Sequence, residues 1–164
     1  MFIQFSYIYI SGNNNNLTIN HTDKNISCDF YLVGNNNLIN IGKNFSIESG
    51  KILCKHLNKR ILIGNDCMFS NNITLRTSDS HTIYNIETND TLNFDEDIII
   101  GNKVWLTQDV TIGKGSIIPD GCVVGTKSFV NKKFEEPNCI LAGTPAKVVK
   151  NKCSWNREHP CYEK

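Results

Sequence analysis

At 164 residues the chain is long enough for one domain with a substantial core and too short for two. Its 17 Lys and Arg against 16 Asp and Glu leave a net charge of +1, without the basic footprint of a nucleic-acid binder. No run approaches the ~20 apolar residues of a membrane span, and seven cysteines with no CxxC pair point to a reduced, cytoplasmic setting rather than a disulfide framework.

In chain order, the opening MFIQFSYIYI lacks the basic start and small-residue cleavage site of a secretion signal and reads as a buried or edge strand. GNNNNLTIN (12–20) and GNNNLINIG (34–42) look like two copies of one segment. Apolar residues then recur every six positions: Ile41, Ile47 and Leu53, followed by Ile63, Phe69 and Leu75 with Ile61, Cys67 and Ile73 two before each. After an interruption the beat runs without a slip through Ile100, Leu106, Ile112, Ile118, Val124 and Val130. A period of six fits neither a 3.6-residue helix nor a long alternating strand. Two inward side chains flanking one outward residue make a short strand, and the rest of each hexad turns a corner. Three hexads close one coil of about 18 residues. Coils stacked at the strand spacing of ~4.8 Å build a triangular prism over residues 12–131. The 23 asparagines suit its corners, because Asn, like Gly, tolerates left-handed φ. From residue 132 the hexads stop. The remainder reads as a loop, a returning extended segment around Cys139–Ala142, and a basic, partly helical tail ending in Trp155–His159.

The interruption carries a histidine. Counting from Ile63 in sixes gives 69, 75 and 81, so His81 stands where an inward apolar residue was due. An unpaired imidazole among Ile and Val is costly, and the beat resumes one residue out of phase at Ile100. The chain therefore leaves the coil over about 77–96 as an acidic, protruding loop beside a cleft. Trp105, between inward Val104 and Leu106, faces outward, as do Val123, Ile99, Ile117 and Phe129. Large apolar side chains on flat faces mark an interface.

These features resemble the hexapeptide-repeat acyltransferases, whose all-β fold is a left-handed parallel β-helix. The resemblance rests on the I-G-x-x-x-x hexads of 100–130, on SDSHTIYN and IGNKVWL, and on ILAGTPAKVVK with its G-x-P-A-K closure. Within that family the chain looks most like bacterial O-acetyltransferases of capsule, lipopolysaccharide or sialic acid sugars. The resemblance implies an acetyl-CoA donor, a sugar acceptor, a homotrimer and active sites in grooves between neighbouring prisms. The handedness also comes from it, since the usual crossover rule favours right-handed connections. It implies His81 as general base, because an imidazole's ordinary pKa of ~6.5 suits removal of a hydroxyl proton. Asp79, two residues earlier, is a candidate for orienting the ring, and the spacing alone leaves open whether it reaches it. Trp105 either packs between subunits or lines the groove beside the thioester. For coenzyme A, backbone N–H groups at Gly125, Thr126, Gly143, Thr144 and Ala146, around Pro145, are candidates for the pantetheine and nucleotide arms. Lys127, Lys147 and Lys150 are candidates for its phosphates. His21, His56 and His159 read as surface residues without a role.

Other acceptors on the same prism stay open: the nitrogen of an amino sugar, or the hydroxyl of a small molecule such as serine or an antibiotic. A zinc carbonic anhydrase would need about three histidine ligands; His81 has no histidine partner at ligand spacing, and no metal is expected. A purely structural prism would need neither the charged excursion nor the G-x-P-A-K closure.

Overall fold

The computed structural model describes residues 6–159 and, ahead of them, the backbone of one short strand; the expectations that fall on residues 1, 4, 5 and 160–164 lie outside the described residues. Among the described residues every regular element is a strand. The first coil holds β1 (Phe2–Ile3), β2 (Ile8–Ser11) and β3 (Asn16–Ile19), and the second β4 (Asn25–Ile26), β5 (Asp29–Asn35) and β6 (Leu38–Ile41). The third holds β7 (Ser46–Ile47), β8 (Gly50–Leu57) and β9 (Arg60–Ile63), and the fourth β10 (Met68–Phe69), β11 (Ile73–Arg76) and, beyond the loop, β12 (Ile98–Ile100). The fifth holds β13 (Trp105–Leu106), β14 (Thr111–Ile112) and β15 (Ile117–Ile118), and the sixth β16 (Val123–Val124) and β17 (Phe129–Val130). The first strand of each coil joins one flat face, A, the second face B and the third face C. The prism expected from the hexads is what forms.

Its core consists of columns in which one coil's inward residue lies on the next. On face A the column runs Ile26, Ile47, Phe69, Leu106 and Val124, paired in register and all buried. Burying each such side chain contributes roughly 1.5–3 kcal/mol.

The early coils are longer than the three hexads expected. Ile19 pairs in register with Ile41 and Ile41 with Ile63, whereas in the later coils Ile100 pairs with Ile118, which is the hexad spacing. The additional length lies on face B, where β5 and β8 run for 7 and 8 residues before the corner. The beat at Leu53 is corrected accordingly: Ile52 and Cys54 point into the core and Leu53 is half-buried between them. The prism also starts before residue 12, with β2 as an exposed edge strand on face B, and it continues past 131. There β18 (Ile140–Gly143) pairs parallel with β16, and β19 (Ala146–Lys150) folds back antiparallel on it. The tail beyond β19 is not helical among the described residues, because its side chains are spent on face A: Trp155 Nε1 donates to Lys103 O at 2.8 Å, and Arg157 donates to Ser46 Oγ and to the carbonyls of Asn44 and Cys67.

Asparagine holds the long corners. Asn14, Asn36 and Asn58 stack with φ of 56, 58 and 55°, each of the first two donating from Nδ2 to the next Oδ1, at 3.2 and 3.1 Å. Beside them buried Asn37 donates to the carbonyls of Val33 and His56 and accepts from the Lys59 N–H, at 3.1, 3.1 and 3.0 Å. The corner starts at Gly12 and Gly34, φ 101 and 109°, where a Cβ would lie 1.9 Å from the next coil's carbonyl oxygen. Asn37→Ala strands three corner groups and is expected to cost about 2–3 kcal/mol, read as a lower urea midpoint at unchanged slope. Asn14→Ala, at the exposed end of the ladder, should cost about 1–2 kcal/mol, mostly for its left-handed backbone.

Candidate active site

The interruption is a loop that leaves the prism at the corner between faces B and C, after β11, and returns at β12. Its neck is closed by the Glu96 N–H donating to Thr77 O, and Thr77 and Ser78 are buried there. Arg60 clamps the returning end, donating from its backbone N–H and Nε to the two oxygens of Asp97, both at 2.8 Å. Inside the loop Tyr84 and Thr91 form an antiparallel bridge. Asn93 ties the two limbs: its Oδ1 accepts from the Ile83 N–H, and its Nδ2 donates to Asp79 Oδ2 and to His81 O, at 2.7, 3.0 and 2.8 Å. Lys114, from the fifth coil, donates to Asp79 Oδ2 at 2.5 Å and to Asn93 O at 2.8 Å. His81 is therefore fixed through its backbone, and among the described residues its exposed ring makes no hydrogen bond. Asp79 does not orient that ring as expected, because its carboxylate is taken by Lys114 and Asn93.

The ring borders an open cleft of about 180 Å³ lined by His56, Ser78, Ser80, Thr82, Asn93 and Asp95, among others. That is below the roughly 300–1,000 Å³ of ordinary ligand pockets, so it is too small for coenzyme A and would enclose a ligand only in part. His56, expected to be a surface residue without a role, is on its wall. Among the described residues no group of three His, Cys, Asp or Glu is placed to hold a metal.

The remaining candidates lie elsewhere on the chain. Trp105 is outward on face A as expected, and it packs on the tail, with its ring centroid 5.9 Å from that of Trp155. Gly125–Lys127 and Gly143–Ala146 share one corner, between faces A and B, joined by Thr144 Oγ1 donating to Lys127 O. The N–H groups of Gly125 and Gly143, expected to be donors to a ligand, are instead spent on Leu141 O and Ser128 Oγ. What those glycines offer a ligand is close approach to the backbone. Thr126, Lys127, Thr144, Pro145, Lys147 and Lys150 are exposed, and Ala146 is buried. Within a single chain, then, His81 and the coenzyme A candidates stand at opposite edges of face B. A cleft of about 430 Å³ continues the A–B corner through Ser27, Ser49, Gly50 and Asn72.

This geometry has counterparts among known proteins, although no protein-family model matches the chain. A polysialic acid O-acetyltransferase from Neisseria meningitidis is 38% identical over 91% of this chain and 79% of its own length. A polysialic acid O-acetyltransferase from Escherichia coli O1:K1 is 33% identical over 84% of this chain, which spans 44% of that longer protein. Among solved structures, the polySia-specific acetyltransferase NeuO overlays with a TM-score of 0.69 at 23% identity, over 96% of this chain and 85% of that one. The fold is thus a left-handed parallel β-helix of the acyltransferase class. The chain belongs to the hexapeptide-repeat O-acetyltransferases, alongside the polysialic acid O-acetyltransferases.

Asp79 gives a test of how the loop is held. Hydrogen bonding from Lys114, then from Asn93, holds its carboxyl below the usual carboxylate range. A depressed folded pKa contributes stability that is complete above the unfolded value of ~3.9 and is lost as pH falls through the lower folded value. The carboxylate is 44% exposed, so the contribution is under about 1 kcal/mol. In Asp79→Asn the Glu96 amide at the loop neck should exchange up to about fivefold faster at neutral pH. Read as a protection factor against the intrinsic exchange rate at each pH, the difference between the two proteins should close only once the pH lies below the folded pKa of Asp79.

Proposed function

We propose that the chain transfers an acetyl group from acetyl-CoA to a hydroxyl of a bacterial surface sugar, a sialic acid polymer of the kind its relatives are named for, with His81 as general base. The observation that carries this is the His81 ring, free of partners among the described residues, on a pinned loop beside an open cleft lined by hydroxyl, amide and carboxylate side chains. The imidazole takes the proton as the hydroxyl oxygen attacks the thioester carbonyl. Backbone N–H groups hold the tetrahedral oxyanion. As the carbon–sulfur bond breaks, the imidazolium returns the proton to the departing coenzyme A sulfur.

The outward columns support a trimer. On face C the column changes from Thr18 and Asn40 to Leu62, Ile99 and Ile117. On face A it runs Met68, Trp105, Val123 and Ile140. Both apolar stretches flank the same C–A corner in the later coils. Three copies around an axis beside that corner close a ring, face A of one against face C of the next, with face B outside. Each groove then has one chain's B–C corner, carrying His81, facing the next chain's A–B corner, carrying Gly125–Lys127 and Gly143–Lys147. Trp105 enters the same groove from that neighbour, with Lys127, Lys147 and Lys150 available to the coenzyme A phosphates. The exposed loop residues Ile83, Ile86, Leu92 and Phe94 gain cover there.

Two measurements test this. With acetyl-CoA and polysialic acid as substrates, His81→Ala should lower turnover about 100- to 10,000-fold while still binding acetyl-CoA; full turnover would remove His81 from its role. The double variant Ile99→Asp, Ile117→Asp should sediment as a monomer and lose transfer, and an active monomer would overturn the composite groove.

A further inference from the structure

His56 occupies a position that the repeat reserves for glycine. Its register partner one coil earlier is Gly34, which in turn lies over Gly12 in the first coil. All three have positive φ: 101° at Gly12, 109° at Gly34 and 75° at His56. Gly12 and Gly34 are forced, since each would drive a Cβ into the carbonyl of the coil above. Above His56 no coil follows. The chain has turned away at Thr77, whose hydroxyl accepts from the Lys55 N–H at 3.0 Å, and the loop supplies Ser78 and Asp95 in its place. A side chain therefore fits, although the left-handed backbone costs histidine more than it costs glycine. A ring in a column of glycines, met by two side chains of the loop, points to a use for that side chain.

The ring is held on one edge only. Nδ1 meets the Asp95 carboxylate and lies 3.2 Å from Ser78 Oγ; Lys59 Nζ donates to Asp95 O at 3.3 Å, fixing that limb of the loop. In the neutral ring the tautomer that faces a carboxylate has its proton on Nδ1, which leaves Nε2 an acceptor. Among the described residues Nε2 has no partner. The ring is about half exposed and lines the same cleft as His81.

We propose that the His56–Asp95 pair is the acceptor-recognition element of this cleft: Nε2 accepts a hydrogen bond from a sugar hydroxyl next to the one His81 deprotonates, and so sets which hydroxyl is presented. This rests on the reading of the cleft as the sugar site. Two imidazoles then divide the work. His81, without a carboxylate partner, handles the proton, and His56, locked by Asp95, binds.

His56→Gly tests this cleanly, because it removes the ring while supplying the residue the backbone favours. The variant should melt no lower than wild type. In steady-state assays with acetyl-CoA and polysialic acid, its acceptor KM should rise about tenfold, the loss of one hydrogen bond to a fixed partner, while the KM for acetyl-CoA stays within twofold. Asp95→Asn, which leaves the strained backbone untouched, should raise the acceptor KM in the same direction. An acceptor KM within twofold of wild type in folded His56→Gly overturns the proposal and leaves His81 in place. So does a fall in kcat as deep as that of His81→Ala at unchanged acceptor KM, which would make His56 the base. A wild-type protein that transfers no acetyl group to sugar fails the proposed function instead, before His56 is touched.

Discussion

Hydrogen bonding between stacked coils is the constraint on which everything else depends. Strands inside the stack are satisfied by the coil before and the coil after, so a residue is judged by the position it shares with its counterparts one coil away rather than by its neighbours in sequence. That is why Ile and Val form columns, and why corners demand residues at ease with left-handed φ. It is also why the chain can leave the prism only where the strands on both sides still find partners. The excursion meets that condition: Ile61 to Ile63 pair with Ile98 to Ile100 across it without a break. A loop inserted this way adds chemistry without disturbing the stack.

The same constraint decides what is legible in the sequence. The later coils can be read because the six-residue beat is unbroken from Ile100 to Val130. His81 can be read because it falls where the earlier beat, counted in sixes from Ile63, requires an apolar residue. The early coils mislead at Leu53, because β5 and β8 lengthen face B and change the period. The correct spacing is nonetheless present in the two asparagine-rich copies, which begin at Gly12 and Gly34. Continuing them to a third copy sets His56 against those two glycines and marks it as anomalous. Asp95 cannot be found this way, since it reaches His56 from far downstream through the path of the loop. Asp79 shows the converse: proximity to His81 in sequence suggests a partner that the fold gives to Lys114. Trp155 lies outside the repeat altogether, and no periodic argument reaches it.

The chemistry is correspondingly divided. On the proposed reading, one chain carries the base His81 at one corner and the surface for a long donor at another, with face B between them. On the same reading neither corner is complete alone, and the apolar columns on faces A and C would let a second copy complete each. The buried thiols take no part: burial pushes the Cys54 and Cys67 thiols up to about 12, and Cys122 and Cys139, 3.4 Å apart at sulfur, are packed as small apolar groups.

The corner amides have a direction. In the ladder of Asn14, Asn36 and Asn58 every side-chain donor points toward the following coil, and the same holds where Asn44 meets Asp66, Asn72 meets Asp109 and Asn102 meets Asp120. These last three runs each stop at an aspartate, which accepts but has no proton to pass on. An amide extends a column and a carboxylate terminates it. Duplicating an asparagine-cornered coil would lengthen such a column without leaving a donor unmatched, whereas exchanging a single nitrogen for oxygen would fix its end. The corners thus set how far each amide column runs, while the stack of strands continues past its end.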